Sequence, residues 1–203
     1  MTVVQVIDEV MRDETFYDNS QGGVTFSGGE AMLQFHFLKA LLEASRNQGL
    51  HTAVDTAGNV VWSRFDELLP LVDLFLYDLK HMDDQVHKRT TGIGNQVILS
   101  NLEKLTAKHP HVWIRIPVIP GVNDNSQAME EMVRFIQGLA SVEQIELMPF
   151  HRLGESKYKS LGLQYQASMV QPLEEEHMRR LNEIFCTVGL PIKWEKRLRN
   201  KPS

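Results

Sequence analysis

The run Leu71-Val72-Asp73-Leu74-Phe75-Leu76-Tyr77-Asp78 leaves this chain few ways to fold. Its nearly continuous apolar character suits a strand buried on both faces, as in parallel sheets. Parallel neighbours need a crossover of a dozen or more residues, usually a helix. Helical patterns should therefore stand on either side of it, and they do.

Strand-like and helix-like segments alternate along the chain. Val24–Ser27, His51–Asp55, Val112–Val118 and Gln144–Met148 read as further strands. Thr2 to about Arg12 reads as a helix with Val3, Ile7, Val10 and Met11 on one face, and Thr2 and Gln5 have capping-box spacing. Met32–Asn47 carries Leu38, Leu41 and Leu42, and Gly49 follows where a helix-ending glycine belongs. A short helix is expected around Phe65–Leu69. Longer ones are expected over Asn95–Lys108, Asn125–Gln137 and Glu174–Val188, with inward stripes such as Met129, Met132, Val133 and Ile136. Pro191–Trp194 reads as either a last strand or an extended tail.

The pattern argues an α/β fold with about five parallel strands. Two architectures accommodate it: a partial (β/α) barrel whose first strand lies outside this chain, or a complete small open sheet. The barrel reading makes 1–203 a single partial domain, with a lead-in helix and loop at 1–22, barrel repeats over 23–190 and a tail at 191–203. It also makes Val24–Ser27 an exposed edge strand, open to self-association.

Composition narrows the function classes. A net charge of −5 over 203 residues gives no electrostatic footprint for nucleic acid. The cations Lys193, Lys196, Arg197, Arg199 and Lys201 read as a solvated tail. No apolar run approaches a membrane span, and no signal peptide is evident, so the expected compartment is cytoplasmic. The single cysteine, Cys186, excludes an internal disulfide framework and any metal site built from several cysteines of this chain. It is expected in the core, on the inward or lateral face of the last helix.

In parallel α/β folds, ligands sit at the carboxyl ends of the strands. Those ends carry Gly28-Gly29-Glu30, Asp55-Thr56, Asp78-Leu79-Lys80, Arg115 and Pro149-Phe150-His151. Glycines there let the backbone approach a ligand. The carboxylates offer partners for an ammonium, and Lys80 and Arg115 for a carboxylate. Each residue also has a local explanation: Asp55 as a turn cap, Asp78 and Lys80 as a surface pair, Arg115 as a structural partner of a carboxylate.

Gly22–Glu30 (GGVTFSGGE), His51–Thr56 (HTAVDT), Tyr77–Lys80 (YDLK), Val112–Gly121 (VWIRIPVIPG) and Glu146–His151 (ELMPFH), followed by Gly154 and Lys157-Tyr158, resemble the glycyl-radical-enzyme activating enzymes. These are radical S-adenosylmethionine proteins typified by the pyruvate formate-lyase activating enzyme. The resemblance runs from about residue 5 to 190 and implies a radical SAM barrel. It implies that Gly28, Gly29 and Glu30 bind the methionine amino group, that Asp55 and Lys80 contact the cofactor, and that His151 lies near the adenosyl group. Arg115 would face the radical or the incoming peptide, and Asp55, Thr56 and Asp78 would form a monovalent-cation site. The implied partners are a glycyl radical enzyme, from which the family removes a glycine hydrogen atom, and a flavodoxin or ferredoxin as electron donor.

The family holds a [4Fe-4S] cluster on a C-x3-C-x2-C loop, and this chain has no such motif. One thiol cannot replace three, so the chain has no iron–sulfur ligands and is expected to be inactive alone. That leaves the S-adenosylmethionine-binding part of an activating enzyme as the leading reading. A non-catalytic cofactor-binding or partner-docking module, or one half of a split enzyme, is the alternative. A barrel lyase using Lys80 as a Schiff-base nucleophile is a third, unrelated reading.

Overall fold

The computed structural model describes residues 1–15, 17, 22–150 and 173–193. Its centre is a six-stranded, wholly parallel sheet whose strands follow one another in chain order. The strands are β1 (Gly23–Phe26), β2 (His51–Thr56), β3 (Leu74–Asp78), β4 (Val112–Val118), β5 (Gln144–Pro149) and β6 (Ile192–Lys193). The helices that accompany them are α1 (Val3–Val10), α2 (Phe35–Asn47), α3 (Trp62–Leu68), α4 (Asp84–Thr91), α5 (Gln96–Lys108), α6 (Ser126–Gln137) and α7 (Glu175–Cys186). The two-residue β6 settles the Pro191–Trp194 segment, as far as Lys193, as a strand.

The strand order decides the architecture. Right-handed crossovers between parallel strands laid down in one direction place every helix on the same face. An open doubly wound sheet needs a reversal of strand order to cover its second face, and none occurs here. The sheet is a partial, unclosed TIM-like barrel, with β1 paired only to β2 among the described residues.

Burial follows that geometry. In β4, Val112, Ile114, Ile116 and Val118 are fully buried beneath the helices, while Trp113, Arg115 and Pro117 are half-buried on the other face. β3 alternates in the same way, with Phe75 and Tyr77 buried but Leu74 and Leu76 only partly so. The expectation of a strand covered on both faces is therefore corrected. The apolar run is interrupted in burial because one of its faces lines the inside of the open barrel.

Local signals act as the sequence implied at several ends. Thr2 and Gln5 form the reciprocal capping box of α1, and Gly49 takes the left-handed conformation after α2. Helix α4 has no counterpart in the apolar pattern. It is a polar helix that buries only His87, held by the Asp83 cap and the left-handed Gly92. Cys186 is corrected as well. It is exposed at the end of α7, with Asn182 Nδ2 donating to its sulfur at 3.4 Å. Met178, Leu181 and Phe185 fill the inward stripe instead.

Two features fix β2 against β3. At the amino-terminal end, Asp73 accepts from the Thr52 amide (2.8 Å), the Thr52 hydroxyl (3.0 Å) and Arg46 on α2 (3.0 Å). At the other end, Gly58 sits so close to Tyr77 that an added Cβ would lie 1.8 Å from the phenolic oxygen. Burial, reinforced by the Glu30 carboxylate, pushes the Tyr77 hydroxyl far above its usual range. It stays protonated and donates to the Ile98 carbonyl at 2.7 Å.

Gly58→Ala is expected to lose more than about 2 kcal/mol through this clash. Gly49→Ala, where only the left-handed backbone objects, should lose about 1–2 kcal/mol; urea unfolding measures both. Partial burial alone would raise the Asp73 carboxyl, but hydrogen bonds from Thr52 and the charge of Arg46 outweigh it, and the folded value is lowered. The resulting stabilisation is present above the unfolded value near 3.9 and is lost as pH falls through the lower folded value. The stability gap between wild type and Asp73→Asn should accordingly hold at neutral pH and close as pH drops below about 4.

Candidate functional site

The alternation of strands gathers a charged cluster on the uncovered face, near the carboxyl ends of β2, β3 and β4. Asp78 and Arg115 are direct partners in the β3–β4 ladder, and Asp55 is partnered with Leu76, two residues before Asp78. All three side chains thus share one face. Arg115 Nη1 lies 2.9 Å from Asp55 Oδ2, and its Nε lies 3.8 Å from Asp78 Oδ1. Lys80 Nζ pairs with Asp78 Oδ2 at 2.9 Å, and Ser27 Oγ donates to Asp55 Oδ2 at 3.1 Å. The cluster pairs two carboxylates with two cations, and Glu146, the partner of Arg115 in the β4–β5 ladder, adds a third carboxylate to the same face.

It is not saturated in hydrogen bonds. Asp78 Oδ1 is buried and accepts none among the described residues. Arg115 Nε donates to the thioether sulfur of Met148 at 3.1 Å, a weak acceptor for so strong a donor. A guanidinium has five donors, and among the described residues the hydrogen bond to Met148 and the contact with Asp55 leave others in reserve. Such a site has capacity for a small amphoteric molecule, with a carboxylate meeting Arg115 or Lys80 and an ammonium meeting an aspartate.

The loop after β1 borders this face. Gly28 has φ +150° and Gly29 follows it; a Cβ on either would meet no atom of the described residues beyond the chain neighbours within 4 Å. Packing among the described residues does not demand a glycine at position 29. Glu30, by contrast, is fully engaged. Its Oε1 accepts from the Met32 amide (3.1 Å) and the Thr56 hydroxyl (2.9 Å), and its Oε2 from the Ala57 amide (2.8 Å). The carboxylate caps the 3-10 turn Ala31–Gln34 and clamps the β1 loop onto the end of β2.

Thr56 therefore does not join Asp55 and Asp78. It stands one residue beyond Asp55, on the helix-covered face, 2 % exposed, with its hydroxyl given to Glu30 and accepting from Gly58. The guanidinium of Arg115 lies between the two aspartates instead. Among the described residues no group of His, Cys, Asp and Glu side chains is arranged to hold a metal ion. His151, with Gly154, Lys157 and Tyr158, lies outside the described residues.

Several supporting residues escaped the sequence reading. Asn123 is completely buried. Its amide nitrogen donates to the Lys80 and Pro117 carbonyls, and its oxygen accepts from Ile119. That ties the loop after β3 to the end of β4. Asn101 does the same for the loop after β2, donating to the Gly58 and Val60 carbonyls. Ser27 and Met148 complete the contacts of Asp55 and Arg115. Ser27 lay within the quoted motif, but only the sheet register reveals its partner.

Comparison with known proteins bears on the same residues. Residues 1–136 match the Radical SAM superfamily. The chain is 38% identical over 200 residues to the (2S)-3-sulfopropanediol dehydratase activating enzyme of Klebsiella oxytoca, covering 93% of this chain and 63% of that protein. It is also 38% identical over 193 residues to the pyruvate formate-lyase 1-activating enzyme of Escherichia coli K12, covering 93% of this chain and 78% of that one. A crystal structure of a domain of pyruvate-formate lyase-activating enzyme from Bacteroides vulgatus superposes with a TM-score of 0.72 at 32% identity, covering 86% of this chain and 99% of that domain. The chain thus spans about two-thirds to three-quarters of the full-length relatives it is compared with.

The three donors on Glu30 give a test of its structural role. Glu30→Gln keeps the shape but offers one acceptor oxygen instead of two, leaving a donor against the new amide. A loss of about 1–3 kcal/mol is expected in urea unfolding; an unchanged midpoint would show that the clamp contributes nothing.

Proposed function

Because this chain belongs to the radical SAM superfamily, and within it to the activating enzymes of glycyl radical enzymes, we propose that it is the S-adenosylmethionine-binding part of such an activator. The observation that supports this most is the unsaturated cluster of Asp55, Asp78, Lys80 and Arg115 beside the Gly28–Gly29 loop. The methionine end of S-adenosylmethionine is itself amphoteric, with an ammonium and a carboxylate on one carbon. Lys80 and Arg115 hold the carboxylate in this reading. Asp55 and the backbone at Gly28 and Gly29 take the ammonium, and Glu30 anchors the loop that presents them. His151 is assigned to the adenosyl end on the resemblance alone.

Bound S-adenosylmethionine supplies a carbon–sulfur bond whose reductive cleavage is the family's source of hydrogen-abstracting power. The residues of this chain do not fit the iron–sulfur cluster that reaction uses. One cysteine is present in 203 residues, and Cys186 stands exposed on α7. We therefore assign cofactor binding to this chain and derive no redox step through it. The monovalent-cation assignment is not carried forward, because the Thr56 hydroxyl serves Glu30 and Arg115 already neutralises Asp55. The partner, on the same family reasoning, is a glycyl radical enzyme of the pyruvate formate-lyase kind.

Titration calorimetry with S-adenosylmethionine tests the assignment. Saturable binding is expected, weakened at least about tenfold, or ~1.4 kcal/mol, by Asp55→Ala and by Lys80→Ala. Affinity unchanged by both variants would overturn the pocket. Separately, a four-iron absorption and resonance signature after anaerobic reconstitution of this chain alone would overturn the statement that its residues do not fit the cluster.

A further inference from the structure

On the outer wall, away from the charged cluster, lies a groove of about 680 Å³. It runs between the loop after β2, the start of α3 and the first turns of α5. Three of its lining residues are large apolar side chains that stand in solvent: Leu33 is 66% exposed, Val61 64% and Val97 49%. A small-molecule pocket would sink such side chains into its walls. Here they project from the rim, as they do on protein-binding surfaces.

Trp62 lines the groove and is preorganised. Its ring stacks on Phe65 with centroids 5.6 Å apart, and the ammonium groups of Lys104 and Lys108 lie 5.8 Å and 5.5 Å from its centre. Buried tryptophan and arginine anchors carry much of the energy at protein interfaces. Phe65 is completely buried and fixed in the core, so Trp62 has little freedom left to lose on binding.

Charge decides the occupant. The charged residues lining the groove, Arg64 and Lys104, are both cationic, on a chain of net charge −5. Lys108 is neutralised by Asp66 at 2.7 Å. Lys104 faces the indole ring and forms no ion pair among the described residues. Arg64 gives Nη1 to the Met32 carbonyl and stacks over Phe35, again without a carboxylate among those residues. A second copy docking through this same patch would bring like charges together about a twofold axis.

From this juxtaposition we infer that the groove docks an acidic, amphipathic segment of another protein. Its apolar side chains rest on Leu33, Val61, Trp62 and Val97, and its carboxylates meet Lys104 and Arg64. The inference does not depend on cofactor binding, since none of these residues belongs to the charged cluster.

Fluorescence polarisation with a labelled helical peptide, leucine at i, i+3, i+4 and i+7 and glutamate elsewhere, provides the test. Saturable binding is expected, weakened about tenfold by Val61→Asp, by Lys104→Glu and by moderate salt. Twin peptides with lysine for glutamate, or serine for leucine, should bind at least about tenfold more weakly. Amide shift perturbations on the unmutated chain should centre on residues 33, 59–64 and 96–104, which keeps the test independent of how the variants fold. Absence of saturable binding, equal binding of the lysine twin, or shifts elsewhere would overturn the proposal. A dimer in sedimentation that Val61→Asp dissolves would make a second copy the occupant and overturn it too.

Discussion

The handedness of parallel crossovers governs this molecule. Six strands follow one another in chain order, and the right-handed connection that parallel strands favour then puts the connecting helices on one face of the sheet. That face is dry, built from residues such as Phe75, Tyr77, Ile114 and Ile116. The other face receives no helix among the described residues and carries the odd-numbered side chains of β2, the even-numbered ones of β3 and the odd-numbered ones of β4. Asp55, Asp78 and Arg115 meet there because the same alternation that buries their neighbours turns them inward. The site is thus a by-product of the rule that forms the core.

Buried polar side chains at the strand ends hold that site in shape. Glu30 binds the β1 loop to β2, Asn101 binds the β2 loop to α5, and Asn123 binds the β3 loop to β4. Each spans two elements and satisfies backbone groups that loops would otherwise leave unpaired. The result is a set of fixed strand ends around a cluster that, among the described residues, keeps donors and an acceptor in reserve. Anchors whose hydrogen bonds are made, beside a cluster with capacity left, suit the binding proposed for it. The outer groove at Trp62 rests on the same loops, since Val60 is tied down by Asn101.

Most of the elements were legible from periodicity. Strand β4 and helix α6 depend on long stretches with a clean alternation or a clean 3.6-residue stripe, and both stand where the pattern puts them. Helix α4 was not legible by that route, because Asp84–Thr91 buries only His87 and has no apolar stripe to detect. Its signals were the cap at Asp83 and the stop at Gly92. Cys186 misled for the opposite reason. A small apolar residue next to Phe185 reads as core, yet the stripe through Met178, Leu181 and Phe185 leaves position 186 on the outside.

The sequence by itself determined that the fold is α/β and parallel, that the polar residues lie at the carboxyl ends of strands, and that one cysteine cannot carry a cluster. These follow from local periodicity and from counting, which need no knowledge of neighbours. Only the tertiary structure decided that Leu74 and Leu76 line an inner face, that Thr56 turns away from Asp55, and that Glu30 commits its carboxylate to Thr56 and Ala57. Those outcomes depend on strand order and register, which set the partners of each side chain across residues far apart in the chain. A motif names the residues of a site, but the direction in which each one points is fixed by the strand beside it.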